Sequence, residues 1–163
     1  MICLRIADKK DLNIVARLAI HIWNEHYIEI IGKEQVDYML SKMYSHKSLL
    51  EQLLDNKHVF CLINNETETI GFISFSSIKG NSYFIHKFYI LQDKSNKGIG
   101  SDVLNQLIEM VQPHELFLYV NRKNFKSINF YFKNGFKILN IEDVSIGNGF
   151  EMNDFLMKKD IKH

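Results

Sequence analysis

Cysteine is scarce in this chain of 163 residues. Cys3 and Cys61 stand alone and form no CxxC or comparable metal spacing. Cysteines of this kind are expected to be buried small hydrophobes, and a reducing cytoplasm is the simplest home for the chain. Net charge is also nearly absent. Lys and Arg number 20 against 19 Asp and Glu, so the basic footprint of a nucleic-acid binder is missing. No apolar run approaches the roughly 18 residues that cross a bilayer. The start, MICLRIADKKDL, lacks the apolar region of a signal peptide and goes straight into a strand-like segment. Repeats, linkers and low-complexity tracts are missing too. What the chain has in quantity is apolar surface: it is 46% hydrophobic, with 12 Phe and 7 Tyr. That is ample for one buried core and too little for two ordinary domains, so residues 1–163 are expected to form a single domain.

The order of elements is legible from periodicity. Ile2 to Ala7 is a short strand, after which Asp8 or Asp11 can cap a helix. Leu12, Val15, Ala16, Ala19, Ile22 and Trp23 recur at helical spacing, Gly32 breaks the pattern, and Val36 to Met43 and Ser48 to Leu54 give two further short helices. Lys57 to Ile63 and Thr69 to Ser77 flank a polar hairpin turn at residues 64–68. Gly80-Asn81 marks the next turn, before a strand at Tyr83 to Leu91. A helix runs from about Gly100 until Pro113 halts it. Glu115 to Val120 is a strand and Phe125 to Lys133 a helix stopped by Asn134-Gly135. Phe136 to Val144 and Phe150 to Lys158 pair across Gly147-Asn148-Gly149. The result is an α+β domain with a mixed, mostly antiparallel sheet of about six or seven strands and about four helices.

Two stretches carry chemistry. The first is Tyr83 to Ser101, YFIHKFYILQDKSNKGIGS. Strand, glycine loop and helix in succession aim backbone N–H groups and the positive end of a helix dipole at a phosphate. Gly98 and Gly100 let phosphates approach the amides, and the turn can require positive φ. A dinucleotide fingerprint fails, because Val103 stands at the third glycine position, and no Gly-Lys-Ser/Thr makes a P-loop. The second stretch is Asn124-x-x-Ser127-x-x-Phe130-Tyr131, followed by Gly135-Phe136.

Together these stretches resemble the GNAT family of N-acetyltransferases, and the segment Trp23 to Ile30 is similar in style to the N-terminal segments of its bacterial polyamine acetyltransferase-like members. The family's pyrophosphate loop is matched by Ser95-Asn96-Lys97-Gly98-Ile99-Gly100. It departs at Ser95, where the family usually has Gln or Arg. The resemblance implies an α/β/α layered fold and acetyl-CoA as co-substrate, with no metal. The backbone of Phe88, Tyr89 and Ile90 would pair with the pantetheine arm and polarise the acetyl carbonyl. Residues 95–100 would hold the pyrophosphate, Ser101 and Asp102 would open the helix, and Lys97 would add a compact cation. Asn124 would bond the pantetheine, Ser127 would lie under it, and Lys133 is placed to meet the 3′-phosphate or solvent. Tyr131 would be the general acid. A thiol titrates near 8.5 and a phenol near 10 in model compounds, close enough for Tyr131 to give a proton to the leaving sulfur. Alternatively, Tyr131 is one more core aromatic among Phe125, Ile128, Phe130 and Phe132.

The acceptor side carries less signal. No Asp or Glu lies between Thr69 and Leu91, so His86 is the candidate base, its imidazole being near neutral pKa; a structural histidine is the plainer reading. Trp23, Glu25, Tyr27 and Glu29 are candidates for holding a cationic amine by charge and cation–π attraction, with Glu25 and Glu29 on one helix face. A solvated face is the alternative. Of His21, Glu25 and His26, only His21 and Glu25 share a helix face, a third ligand on that face is missing and HExxH spacing is not met, so no metal site is expected. The expected activity is transfer of an acetyl group from acetyl-CoA to a primary amine by direct attack, with a small amine or polyamine favoured as acceptor. A non-catalytic acyl-CoA sensor and an acetyltransferase of a protein amine are the alternatives, and a homodimer is left open.

Overall fold

The computed structural model describes residues 1–95 and 98–161. The chain divides into two compact units, Met1–Ser76 with Lys87–Gln112, and Ser77–His86 with Pro113–His163. In the first, strands β1 (Cys3–Ile6), β2 (Val59–Asn64) and β3 (Thr69–Ser77) are followed by β4 (Ser82–Ile90), whose last four residues belong here. In the second, the start of β4 is followed by β5 (Glu115–Asn121), β6 (Lys137–Gly147) and β7 (Phe150–Asp160). Strand order is β1-β2-β3-β4 in one and β4-β5-β7-β6 in the other, seven strands in all. β4 pairs with β5 in parallel, and the pairs β1·β2, β2·β3, β5·β7 and β6·β7 are antiparallel. This is the expected mixed, mostly antiparallel α+β fold.

In the first unit β2 and β3 are near-continuous apolar runs. Phe60, Leu62, Ile63, Ile70, Phe72 and Ile73 have no exposed surface, the pattern of strands covered on both faces. Helix α1 (Leu12–His26) buries Leu12, Val15, Ala19, Ile22 and Trp23 at the spacing the sequence shows. Its entry is made by Asp8, which caps a 3-10 turn at Lys9–Asp11 in a reciprocal capping box. Asp11, whose carboxylate accepts from the Asp8 N–H in that box, also pairs with Arg5 at 2.8 Å. Three more helices follow: α2 (Ile28–Ile31), α3 (Lys33–Met43) and α4 (His46–Leu54), the last capped by Ser45. Helix α5 (Ile99–Val111) turns Val103, Leu104 and Leu107 inward.

In the second unit helix α6 (Phe125–Lys133) buries Ile128 and Tyr131 and ends at Gly135, φ +84°. β6 is the outermost strand and is exposed along nearly its whole length, including Ile138, Leu139, Ile141 and Val144. Its pairing with β7 shifts register between Ile138 and Asn140 and again between Ser145 and Gly147.

Three expectations need correction. Six α-helices are described rather than about four, and the one that periodicity does not mark is the single turn α2 just before Gly32. The helix carrying Trp23 does not run on through Glu29; it ends at Tyr27, and α2 begins anew at Ile28. Cys61 is buried as expected, but Cys3 lies exposed on β1.

One glycine sets strand spacing in the first unit. A Cβ on Gly71 of β3 would lie 2.3 Å from the Tyr89 carbonyl oxygen and 3.0 Å from the Ile90 Cα. Glycine inside a strand often marks such an approach of two backbones. The neighbouring Leu91 N–H donates to the Ile70 carbonyl at 2.8 Å. Gly71→Ala is expected to destabilise the protein by about 1–3 kcal/mol, the usual cost of overpacking, measured by urea unfolding. An unchanged midpoint would show that β4 yields freely.

Candidate functional site

The first unit contains the end of β4 and the start of α5. The ladder of β4 with β5 runs from Ser82/Glu115 to Ile85/Leu118. Phe88, Tyr89 and Ile90 follow that ladder and are each half-buried. A 3-10 turn at Gln92–Lys94 leads to Ser95, whose hydroxyl donates to the Gln92 carbonyl at 2.9 Å. Asn96 and Lys97 lie outside the described residues. Gly98 is in the left-handed region (φ +80°, ψ +3°) and is the N-cap of α5, with no side-chain cap. Ile99, Gly100 and Ser101 form the first turn, so the helix opens two residues before Ser101. Backbone amides of a helix start without a side-chain acceptor are the group an anion can satisfy.

Beside this end of β4 lies a stack of rings. Trp23 stacks on Tyr27 with centroids 4.6 Å apart, and Tyr89 is 5.9 Å from Trp23, 6.0 Å from Tyr27 and 5.5 Å from Phe72. Tyr44 closes the group at 5.9 Å from Trp23. Trp23 is therefore a core residue, while Tyr27 and Tyr89 are half-buried. Burial pushes the Tyr44 phenol far above its ordinary value. Glu25 and Glu29 are exposed. They sit on different helices because of the break at Tyr27, and Glu25 is 3.4 Å from His21.

The sequence reading passed over Lys87. It lies on β4 between His86 and Phe88 and is 3% exposed. Its ammonium donates to the Gln52 side-chain carbonyl and stands 5.5 Å from the Tyr44 ring centroid and 5.8 Å from that of Phe60. Among the described residues no carboxylate pairs with it. Burial lowers its pKa to about 8. Burial, with the charge of Lys87 added, lowers His58 to about 4. A lysine flanked by aromatics in a strand is the one signal that marks such a position in a sequence, and it does not separate burial from exposure.

In the second unit Tyr131 is 8% exposed, its ring 5.2 Å from Phe130 and 5.4 Å from Phe136. Asn124 is 2% exposed and caps α6, its side-chain oxygen accepting from the Ser127 N–H at 3.3 Å. Ser127 is half-buried and Lys133 exposed. The motif thus brings Asn124, Ser127 and Tyr131 onto one short helix and its cap. His86 is half-buried, 5.1 Å from the Phe84 ring. A second residue the sequence reading missed is Asp154 on β7, a carboxylate 5% exposed and pushed up to about 6 by burial.

The buried cation of Lys87 makes a definite pH signature. A lysine pKa of about 8 in the fold against 10.5 ordinarily means that the unfolded chain holds the proton over a range where the folded chain has released it. Stability from this group therefore rises with pH between about 8 and 10.5, and the burial cost is fully present below about 8. Lys87→Met is expected to flatten that rise relative to wild type in urea unfolding across the window. An identical slope in both proteins would mean that the amine is hydrated.

Comparison with known proteins agrees with this geometry. The chain is 26% identical over 157 residues to a spermidine N(1)-acetyltransferase of Thermoplasma acidophilum, covering 92% of this chain and 91% of that one. It is 27% identical over 138 residues to the N-acetyltransferase YuaI of Bacillus subtilis, itself uncharacterized, covering 80% and 78%. In three dimensions it resembles the PaiA N-acetyltransferase of Thermoplasma acidophilum, solved in complex with coenzyme A. That match has a TM-score of 0.81 and 26% identity, over 99% of both chains. The acetyltransferase (GNAT) family model matches residues 20–136, which take in the C-terminal half of α1, the β4–α5 connection and the Asn124–Tyr131 helix. With both motifs inside a match of that extent, the chain belongs to the acetyltransferase (GNAT) family.

Proposed function

We propose that residues 1–163 work as one N-acetyltransferase domain that moves an acetyl group from acetyl-CoA to a small primary amine by direct attack. The observation that carries this reading is the start of α5. Gly98, the N-cap, holds a left-handed turn and has no side chain with which to cap the helix. The first-turn amides of this 13-residue helix would then be offered to a pyrophosphate. Phe88 to Ile90, beyond the ladder of β4 with β5, would offer main-chain groups to the pantetheine amides and the acetyl carbonyl. Asn124 and Ser127 would hold the arm, and Lys97 and Lys133 would supply cations for the phosphates.

The incoming amine attacks the thioester carbonyl, and as the C–S bond breaks the electron pair leaves on sulfur. Tyr131 would then give the thiolate its proton, and the proton shed by the attacking nitrogen as it becomes a neutral amide would restore the phenol. His86 would take the proton of the incoming ammonium. Most of the rate enhancement would come from holding both substrates in line. A covalent acetyl-enzyme is disfavoured at Cys61, since burial raises that thiol to about 11. A polyamine is the favoured acceptor, supported by the spermidine acetyltransferase named among the relatives. Glu25, Glu29 and Tyr27 would meet the amine first, with Trp23 behind Tyr27.

The test is thiol release from acetyl-CoA in the presence of polyamines, amino acids, aminoglycosides and small peptides. Tyr131→Phe is expected to lower turnover by about a hundredfold or more, the usual weight of a general acid, while acetyl-CoA still binds. Binding of acetyl-CoA without turnover on any amine would favour a sensor or a protein substrate. No binding at all would overturn the reading.

A further inference from the structure

Cross-strand register in the second unit collects six side chains on one face of its sheet. Asp154 of β7 lies directly opposite Glu142 of β6 on one side and Asn121 of β5 on the other. Opposed residues of neighbouring strands share a face, and so do residues two apart along a strand. Tyr119 therefore lies on the same face as Asn121, and Phe84, opposite Phe117, joins them with His86. Contacts agree with that placement. The Phe84 ring is 5.2 Å from Tyr119 and 5.1 Å from His86, and the Tyr119 hydroxyl donates to Glu142 at 2.7 Å.

Asp154 is the anomaly on this face. It is 95% buried by its 5% exposure, and Oδ1 has no hydrogen-bond partner among the described residues. Arg122, the nearby cation, is committed to Asp143 at 2.6 Å. Glu142 and Asp143 add negative charge next to the Asp154 carboxylate. A buried carboxylate with no donor is costly, and proteins keep few of them without a reason. An ammonium would supply both the missing donor and the missing charge. Beside it, the half-buried Phe84 and exposed Tyr119 rings offer a platform for methylene groups and cation–π contact.

We propose that Asp154 and Glu142 bind the ammonium of an aliphatic amine, whose carbon chain lies on Phe84 and Tyr119. The proposal rests on the amine-acetyltransferase reading and gives its acceptor a binding position additional to the exposed residues Glu25 and Glu29. No bond to carbon forms at this position; it holds charge.

Calorimetric titration of 1,4-diaminobutane into the full chain at neutral pH, with 1,4-butanediol as the uncharged control, decides the matter. Wild type is expected to bind the diamine and not the diol. Asp154→Asn is expected to weaken diamine binding at least tenfold without lowering the melting temperature, since it removes an uncompensated buried charge. Glu142→Gln, on the surface, is expected to weaken it by a smaller factor. Diamine binding of equal strength in wild type and Asp154→Asn, equal binding of the diol, or no diamine binding by wild type would each overturn the proposal. Acetyl-CoA is titrated separately into the same proteins. Its failure to bind wild type would sink the acetyltransferase reading alone, whereas its normal binding to Asp154→Asn would show that the lost amine site is local.

Discussion

The first unit depends on how closely β3 lies against the end of β4. Gly71 permits it, because any Cβ there would collide with the Tyr89 carbonyl. Two consequences follow from that spacing. The Tyr89 ring is carried into contact with Trp23, Tyr27 and Phe72, so α1 with its C-cap, β3 and β4 are tied through one strand position. The main chain of Phe88 to Ile90 is also held by packing rather than by chance, which a site relying on backbone groups requires. Pre-set geometry of this kind is where enzymes of positioning find their rate.

Each unit also keeps one charge where charge is expensive. Lys87 has an amide oxygen and two ring faces in place of a carboxylate, and Asp154 has no hydrogen bond at Oδ1. Both are shifted by burial toward the neutral form, as desolvation demands. Groups perturbed in this way concentrate at functional sites. The two differ in what they lack: Lys87 has found a lone-pair donor, whereas Asp154 still wants a proton or a cation.

Much of this was legible in the sequence, and the exceptions share a cause. Strand β4, helix α6 and the glycine-led start of α5 follow from alternation, helical periodicity and residues whose backbone freedom is chemically evident, such as Gly98 and Gly135. The spacing of Asn124, Ser127 and Tyr131 along one helix and its cap is likewise a local matter. The break at Tyr27 was not legible, because apolar spacing continues through Ile28, Ile30 and Ile31 and no Gly or Pro announces it. Lys87 and Asp154 were missed because a charged residue in a strand is expected to face water. Their burial is decided by α4 for the one and by register between β5, β6 and β7 for the other. The role of Gly71 was hidden for the same reason, since its neighbour in space is Tyr89, not a neighbour in sequence.

The outermost strand has a consequence of its own. β6 is eleven residues long with four large apolar side chains open to water, the kind of edge on which another chain's strand can grow into a fibre. The two register shifts break its ladder into short pieces and coil its rim. Lys137, Glu142 and Asp143 set fixed charges of both signs along the same stretch. An intruding strand would find neither a continuous row of hydrogen bonds nor a neutral surface. An apolar border is thus made a poor template for edge-to-edge growth by the shape and charge of the strand that carries it.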